Sequence, residues 1–355
     1  MDITKIDKNF ANTFSYEGMK VYDVNEAPFR LYGLCRAEGE RDYKRLPKEF
    51  AESVGNASVA VMYNRTTGIR LRFKTDSSRI VLKCVRSEEI NIPHIAVTGS
   101  SCFDLYADGE YCNVFRPGID ANGKWTDDKS MHGGYESGYV FKGDRKLRDI
   151  LIFFPLYNSV DELYIALEED AQVLPGAEYP AGGPIVFYGS SITQGACASH
   201  PGNCYTNILS RRLDRDIINL GFSGGCFAEP DFARYIPTLN PAVLVLDYDH
   251  NSGLAQLTER HEAFFLEFRK HCPDTPVVMV SAADKTLGKP ARRDIIRKTY
   301  ENALAAGDQH VYFVDGTQIY KVPGVDACTV DNAHPNDLGF WCMANAIEKP
   351  LRECL

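Results

Sequence analysis

No stretch of the chain approaches the roughly 20 consecutive apolar residues that a membrane-spanning helix needs. Positive charge is also in short supply: 39 Lys and Arg stand against 48 Asp and Glu, a net charge of −9. Polyanion binding needs a basic patch that releases counterions. The tightest basic cluster, Arg292, Arg293, Arg297 and Lys298, falls at helical spacing, as a solvated face does. Neither nucleic acid nor an anionic membrane is therefore an expected partner. The eleven cysteines are odd in number, scattered, and contain no Cys-x-x-Cys pair, which removes the zinc-knuckle and thioredoxin readings. Such thiols fit a reducing cytoplasm better than a disulfide framework. Met1 to Asp7 lacks the basic and apolar blocks of a secretory leader. The expected location is cytoplasmic, with secretion of a leader-trimmed chain as the alternative. Internal repeats and low-complexity tracts are missing too.

What is present divides into two periods. A chain of 355 residues is long for one domain, since single cores stop growing near about 250 residues. Residues 1–175 alternate apolar and polar side chains in short runs, as in Gly68 to Lys74 and Arg79 to Val85. Such alternation places one face in a core and the other in water. The turn cluster Asp76-Ser77-Ser78 between these two runs predicts a hairpin. Phe103 to Tyr106, Gly138 to Phe141, Asp149 to Phe154 and Glu162 to Leu167 are further strands, and only Pro47 to Val54 looks helical. This half is expected to be an antiparallel β-sandwich.

A Pro/Gly-rich run, Leu174 to Pro184, predicts a linker. Beyond it, residues 184–355 alternate apolar runs (Ile185 to Tyr188, Ile217 to Leu220, Ala242 to Asp247, Pro276 to Ser281, Val311 to Val314) with amphipathic segments. Parallel strands buried on both faces read this way. The second half is expected to be a three-layer α/β domain with about five strands.

Its first strand runs into Gly189-Ser190-Ser191-Ile192-Thr193-Gln194-Gly195. Ligands of open α/β sheets sit beyond the carboxyl ends of the strands. A serine there needs an adjacent base to become a nucleophile, and flanking glycines leave backbone N–H groups free for an oxyanion. A phosphate cradle or a plain turn has the same composition, although no Lys follows the second Gly as a P-loop requires. Near the other end lies Asp331-Asn332-Ala333-His334-Pro335-Asn336-Asp337. A carboxylate three residues ahead of a histidine can hold Nδ1 and leave Nε2 for a serine. Asp331 or Asn336 serving only as a helix cap, with His334 incidental, is the plainer alternative.

Together, a GxSxTxG turn opening the domain, Asn219-Leu220-Gly221-Phe222-Ser223-Gly224 after the second strand and a DxxHP before the last helix resemble the SGNH (GDSL-like) hydrolase superfamily. The resemblance covers about Ile185 to Leu355 and implies a flavodoxin-like serine esterase without a cofactor or metal. It implies Ser191 as nucleophile, Asp331 and His334 as its partners, and the Ser191 and Gly224 amides as oxyanion donors. The literal GDS is absent, because Ser190 replaces the Asp. The third block departs further: Asp247-Tyr248-Asp249-His250-Asn251 stands where a GxND is usual, which makes Asn251 the third oxyanion candidate. His250 is either an outer contact of the site or a structural histidine. Cys102-Phe103-Asp104-Leu105-Tyr106 looks like the GxDLY motif of a β-sandwich found ahead of such domains, with Cys102 in place of Gly. Pairings of this kind resemble carbohydrate esterases.

The expected activity is removal of a short acyl group, acetyl foremost, from a carbohydrate or similar polar ester. The rivals are acyl transfer at the same site and an inactive carbohydrate-binding protein. Cys197, His200 and Cys204 are close in sequence but lack a fourth ligand and metal spacing. Cys226 is expected as a buried thiol, Phe340 and Trp341 as anchors of the last helix, and Glu229, Asp231 and Asp284 as possible cleft residues.

Overall fold

The computed structural model describes residues 16–36, 39–283 and 289–355. In its N-terminal half the strands are β1 (Met19–Asp23), β2 (Arg30–Tyr32), β3 (Arg70–Thr75), β4 (Arg79–Val85), β5 (Phe103–Ala107), β6 (Glu110–Phe115), β7 (Gly134–Val140), β8 (Arg148–Phe153), β9 (Glu162–Glu168) and β10 (Val173–Pro175). They form two antiparallel sheets, ordered β1-β9-β4-β7 and β10-β3-β8-β5-β6, with β2 also on β3. Leu71, Phe73, Phe103, Ile150 and Ile152 from one sheet meet Leu82, Leu163, Ile165 and Leu167 from the other in a single core. This is the expected sandwich. Three short helices accompany it: α1 (Lys48–Ser53), α2 (Ala57–Met62) and α3 (Val97–Ser101). Only the first was foreseen.

Two expectations about β3 are overturned. It makes no hairpin with β4; the two strands lie in different sheets. Ser78, in the turn between them, donates its N–H to Glu168 Oε2 over 2.8 Å, so the turn is a crossing between layers. Nor does the charged face of β3 look into water. Arg70 and Arg72 are buried, at 0% and 8% exposure, beneath the second half of the chain. Arg70 meets Asp216 and donates to the Ile217 carbonyl over 3.2 Å.

The second half holds β11 (Ile185–Gly189), α4 (Ser191–Gln194), α5 (Tyr205–Leu213), β12 (Ile217–Gly221), α6 (Pro230–Tyr235), β13 (Val243–Asp247), α7 (Leu254–His271), β14 (Val277–Val280), α8 (Lys289–Ala305), β15 (Val311–Val314), α9 (Val325–Cys328) and α10 (Asp337–Cys354). The five strands are parallel in the order β12-β11-β13-β14-β15. That is the flavodoxin-like arrangement, whose direction of winding reverses between the first and third strands. Apolar residues cover both faces: Phe187 and Val245 pack with Phe340 and Ile347 on one, Val186 and Leu246 with Phe264 and Phe268 on the other. Among the described residues, no helix is long and apolar enough to cross a membrane. All eleven cysteines are free thiols.

The N-terminal half supplies part of both faces. Ile95, Leu156 and Tyr157 join the first cluster, and Cys35, Leu46, Ala51 and Val59 join the second. Full burial of a Leu or Val side chain is worth roughly 1.5–3 kcal/mol, so this junction has the energetics of an interior. The predicted linker takes part as well. It begins in β10, and Tyr179 accepts from Arg70 Nε over 3.1 Å while packing edge-on against Tyr32.

Candidate active site

Every loop that carries a predicted site residue emerges at the carboxyl end of the parallel sheet. β11 ends at Gly189, where a Cβ would lie 2.5 Å from the Asp247 carbonyl oxygen, so only glycine lets the two strands approach this closely. The chain then turns into α4, and the Ser190 hydroxyl caps that helix by accepting from Ile192 N–H over 3.2 Å. Ser191 is the first helical residue and is 7% exposed. Thr193 and Gln194 fix the turn from below. The Thr193 hydroxyl donates to Asp247 Oδ2 (3.1 Å), and Gln194 Oε1 accepts from Ser223 N–H (2.8 Å).

The DxxH segment meets this turn from the far end of the chain. Ser191 Oγ lies 2.9 Å from His334 Nε2, and His334 Nδ1 lies 2.8 Å from Asp331 Oδ2. Asp331 Oδ1 also accepts from the His334 and Ala333 N–H groups, at 2.7 and 3.1 Å. Burial alone would raise the Asp331 carboxyl, but the His334 ring and these N–H donors outweigh it and hold the group down at about 2. Capping of α10 falls instead to Asn336, which accepts from Gly339 N–H over 3.1 Å. Asp331 and His334 are thus left free of the helix-cap role.

Gly224 takes a left-handed conformation (φ +69°) after β12, and a Cβ there would lie 3.3 Å from Ser58 Oγ of α2. Among the described residues, no protein acceptor engages the N–H of Ser191 or of Gly224. Asn251, on the loop after β13, donates from Nδ2 to the Gly225 carbonyl, which ties it to the same turn. His250 Nε2 lies 3.9 Å from Asp249 Oδ1.

The remaining candidates disperse. His200 Nδ1 meets Asp104, Cys204 Sγ contacts the Thr193 carbonyl and Cys197 Sγ the His94 carbonyl, so these three assemble no common site. Cys226 is fully buried. Glu229 is buried and bonds Tyr188, Asn56 and Phe227 N–H, while Asp231 pairs with Arg234. Asp284 lies outside the described residues. Phe340 is buried against Tyr205 as an anchor, but Trp341 is 51% exposed beneath Arg212. Arg292 departs from the solvated face expected of it and bonds the Asp249 carbonyl.

Two donor groups have the composition of a metal site: Asp247, Asp249 and His250, and His94, Cys197 and His334, each with its ligand atoms within 4.8 Å of one another. In the first, Asp247 Oδ2 already accepts from Tyr205 and Thr193, and Asp249 Oδ2 from Ala282 N–H.

Residues 183–352 match the GDSL-like lipase/acylhydrolase family. Residues 19–173 match the GxDLY family, described as the N-terminus of SGNH hydrolase-type esterases. The chain belongs to the SGNH (GDSL-like) hydrolases. It is accordingly an esterase-class enzyme with a GxDLY sandwich in front. A Bacteroides ovatus protein described as a GDSL-like lipase is similar in structure, with a TM-score of 0.80, 27% identity, and coverage of 94% of this chain and 98% of that one. A salicylyl-acyltransferase from a tetracycline biosynthetic pathway aligns at a TM-score of 0.74 and 19% identity, over 96% and 98% of the two chains. An acetyl xylan esterase from Butyrivibrio proteoclasticus aligns at 0.59 and 13%, over 94% and 98%. No curated protein sequence matches the chain.

Three residues around the site of this SGNH hydrolase belong to no pattern visible in the sequence, and all come from the N-terminal half. Tyr157 donates its hydroxyl to the Ser191 carbonyl over 3.3 Å. Arg45, fully buried, donates to the Asn219 and Gly221 carbonyls at 2.9 and 2.6 Å and stacks on Phe222, which fixes the end of β12. Burial pushes its guanidinium down to about 9. His94 sits with its ring centroid 5.3 Å from that of His334. None of the three belongs to a motif. Only their place after folding gives them meaning.

Proposed function

We propose that this SGNH hydrolase is a serine esterase that removes a short acyl group, acetyl foremost, from a carbohydrate or similar polar ester. The observation that carries the reading is the unbroken sequence Ser191 Oγ, His334 Nε2, His334 Nδ1, Asp331 Oδ2, with separations of 2.9 and 2.8 Å. A hydroxyl, a ring nitrogen and an ionised carboxylate in that order are what acyl transfer requires.

In the first half-reaction Ser191 Oγ attacks the ester carbonyl carbon and its proton passes to His334 Nε2. Asp331 keeps the ring in the required tautomer and offsets the charge of the imidazolium. The carbonyl oxygen becomes an oxyanion facing the N–H groups of Ser191 and Gly224, with the Asn251 amide as third donor. Each such donor is worth roughly 3 kcal/mol in the transition state. Collapse breaks the bond to the alcohol, which leaves with the proton from His334. Water then attacks the acyl-serine by the same steps in reverse order of roles, releasing the acid and free Ser191. The site follows the strand on which the winding of the sheet reverses, the place where α/β sheets open a crevice.

The acetyl and carbohydrate parts of the reading draw support from the acetyl xylan esterase and family two carbohydrate esterases among proteins of like fold. The test is hydrolysis of p-nitrophenyl acetate by wild type and by Ser191→Ala. Turnover that falls by about 10⁴-fold or more in the variant supports the reading. Turnover that survives Ser191→Ala overturns it, as does a folded wild type inert toward every short-chain ester. A series of longer acyl groups, and acetylated sugars with a polyol acceptor added, then separates acetyl preference and acyl transfer from simple hydrolysis.

A further inference from the structure

We propose that His94, Cys197 and His334 form an inhibitory site for a borderline-soft divalent cation of the Zn²⁺ class. The three residues come from three distant parts of the chain. His94 lies on a loop of the sandwich half, Cys197 follows the nucleophile helix α4, and His334 precedes α10. Their ligand atoms lie within 4.8 Å of one another. Two imidazoles and a thiolate are donors that select zinc-like ions over magnesium or calcium.

The geometry favours a particular mode of binding. His334 Nδ1 is held by Asp331 at 2.8 Å, so Nε2 is the atom with a lone pair to offer. A carboxylate on the far nitrogen of a metal-binding histidine is the arrangement that orients the ring and raises its basicity. Asp331 therefore supports His334 equally well as base or as ligand. The Cys197 Sγ already points toward the His94 loop, donating to the His94 carbonyl over 3.3 Å. Cys197 adopts a left-handed backbone (φ +72°), uncommon for a residue with a side chain. Donor atoms around a tetrahedral zinc are about 3.5 Å apart. The ligand atoms start within 4.8 Å of one another, and the exposed His94 ring is the donor with most room to turn toward the other two.

On binding, the ion sheds all of its water ligands but one, which completes the tetrahedron with the three side chains, and the Cys197 thiol proton is released to solvent. It also withdraws His334 Nε2 from Ser191. The consequence for activity rests on the esterase reading of Ser191 and His334; the binding itself does not.

Co²⁺, a spectroscopic stand-in for Zn²⁺, tests the site directly. Wild-type protein titrated with Co²⁺ is expected to develop a thiolate-to-metal absorption band in the near ultraviolet, which Cys197→Ser abolishes and His94→Ala weakens. In the p-nitrophenyl acetate assay Zn²⁺ is expected to stop turnover, with recovery on adding a chelator. His94→Ala, measured against its own metal-free rate, should need at least about tenfold more Zn²⁺ for half inhibition, given that even outer partners of a metal cost 10–100-fold in affinity. Folded wild type that gives no Co²⁺ band overturns the proposal. So does equal Zn²⁺ sensitivity in wild type, His94→Ala and Cys197→Ser. If wild type proves inert toward every ester, the esterase reading fails while the Co²⁺ band still decides the site.

Discussion

Asp104 of the sandwich reaches across to His200, on the loop that follows α4, with Oδ2 and Nδ1 2.5 Å apart. The same oxygen accepts from the Gly202 N–H. Tyr111 stacks on the other side of the His200 ring at a centroid distance of 4.8 Å. On the same loop, the adjacent Ser199 donates to Asp337 at the start of α10, three positions beyond His334. The acidic residue of the GxDLY-like segment therefore braces the loop after α4, and Ser199 ties that loop to the start of α10.

Removing that brace is expected to cost stability. Asp104→Ala leaves the His200 ring and the Gly202 N–H without their buried acceptor, a loss of about 2–4 kcal/mol. Burial pushes the Asp104 carboxyl up while the His200 contact pulls it back, so Asp104→Asn, which keeps one oxygen acceptor and carries no charge, should lose less. Urea unfolding of the three proteins measures this. An Asp104→Ala curve that overlays wild type would remove the brace from the account.

Asp331 predicts a pH dependence with a definite sign. Its carboxyl is held at about 2, below the ordinary value of 3.8. The folded state thus prefers the ionised form, and the stability this contributes is fully present above 3.8 and fades as the pH falls toward 2. The stability difference between wild type and Asp331→Asn should shrink across that window and stay flat above it. At neutral pH, Asp331→Asn is expected to lower kcat by about 10⁴-fold through the wrong His334 tautomer. A variant within tenfold of wild type would mean that the carboxylate only caps the loop.

Gly224→Ala combines two effects. A Cβ in the left-handed region costs roughly 1–2 kcal/mol, and it would press on Ser58 Oγ at 3.3 Å. Shifting the Gly224 N–H away from the oxyanion is expected to lower kcat by about 10²-fold with KM little changed. A loss seen in KM alone would argue that the turn shapes substrate binding instead.

For Asn251→Ala the expected result is also a fall in kcat of about 10² to 10³-fold. The amide has two N–H groups and only one is spent on the Gly225 carbonyl. If kcat stays within about threefold, Asn251 serves to tie two loops together and the hole has two donors.

The legible part of this molecule is the part governed by short spacing. The Ser191 turn and the Asp331–His334 loop are legible because the roles proposed for them call for fixed residue types a few positions apart, and the turn sits at the end of a strongly apolar strand. Period-2 alternation found β3 and β5 but misjudged the outer face of β3. Alternation tells which side chains share a face and says nothing of what covers it. In β5 Asp104 is as buried as Phe103 and Leu105, because the second half of the chain lies on top. The turn Asp76-Ser77-Ser78 suits a hairpin and a crossing between sheets equally well, and the contact of Ser78 with Glu168, 90 residues away, decides for the crossing. Arg45, His94 and Tyr157 belong to no local pattern and acquire their roles only through tertiary contact.

One feature of the fold reaches further than the site. Leu46, Val59 and Leu156 of the N-terminal half have no exposure at all, and each lies in a cluster built around the parallel sheet. The hydrolase half, severed at the Pro/Gly-rich segment, would present those vacated positions to water on both sides of its sheet. The two halves are thus bound to a shared history: neither can be exchanged, lost or joined to a foreign neighbour without a compensating change in the other.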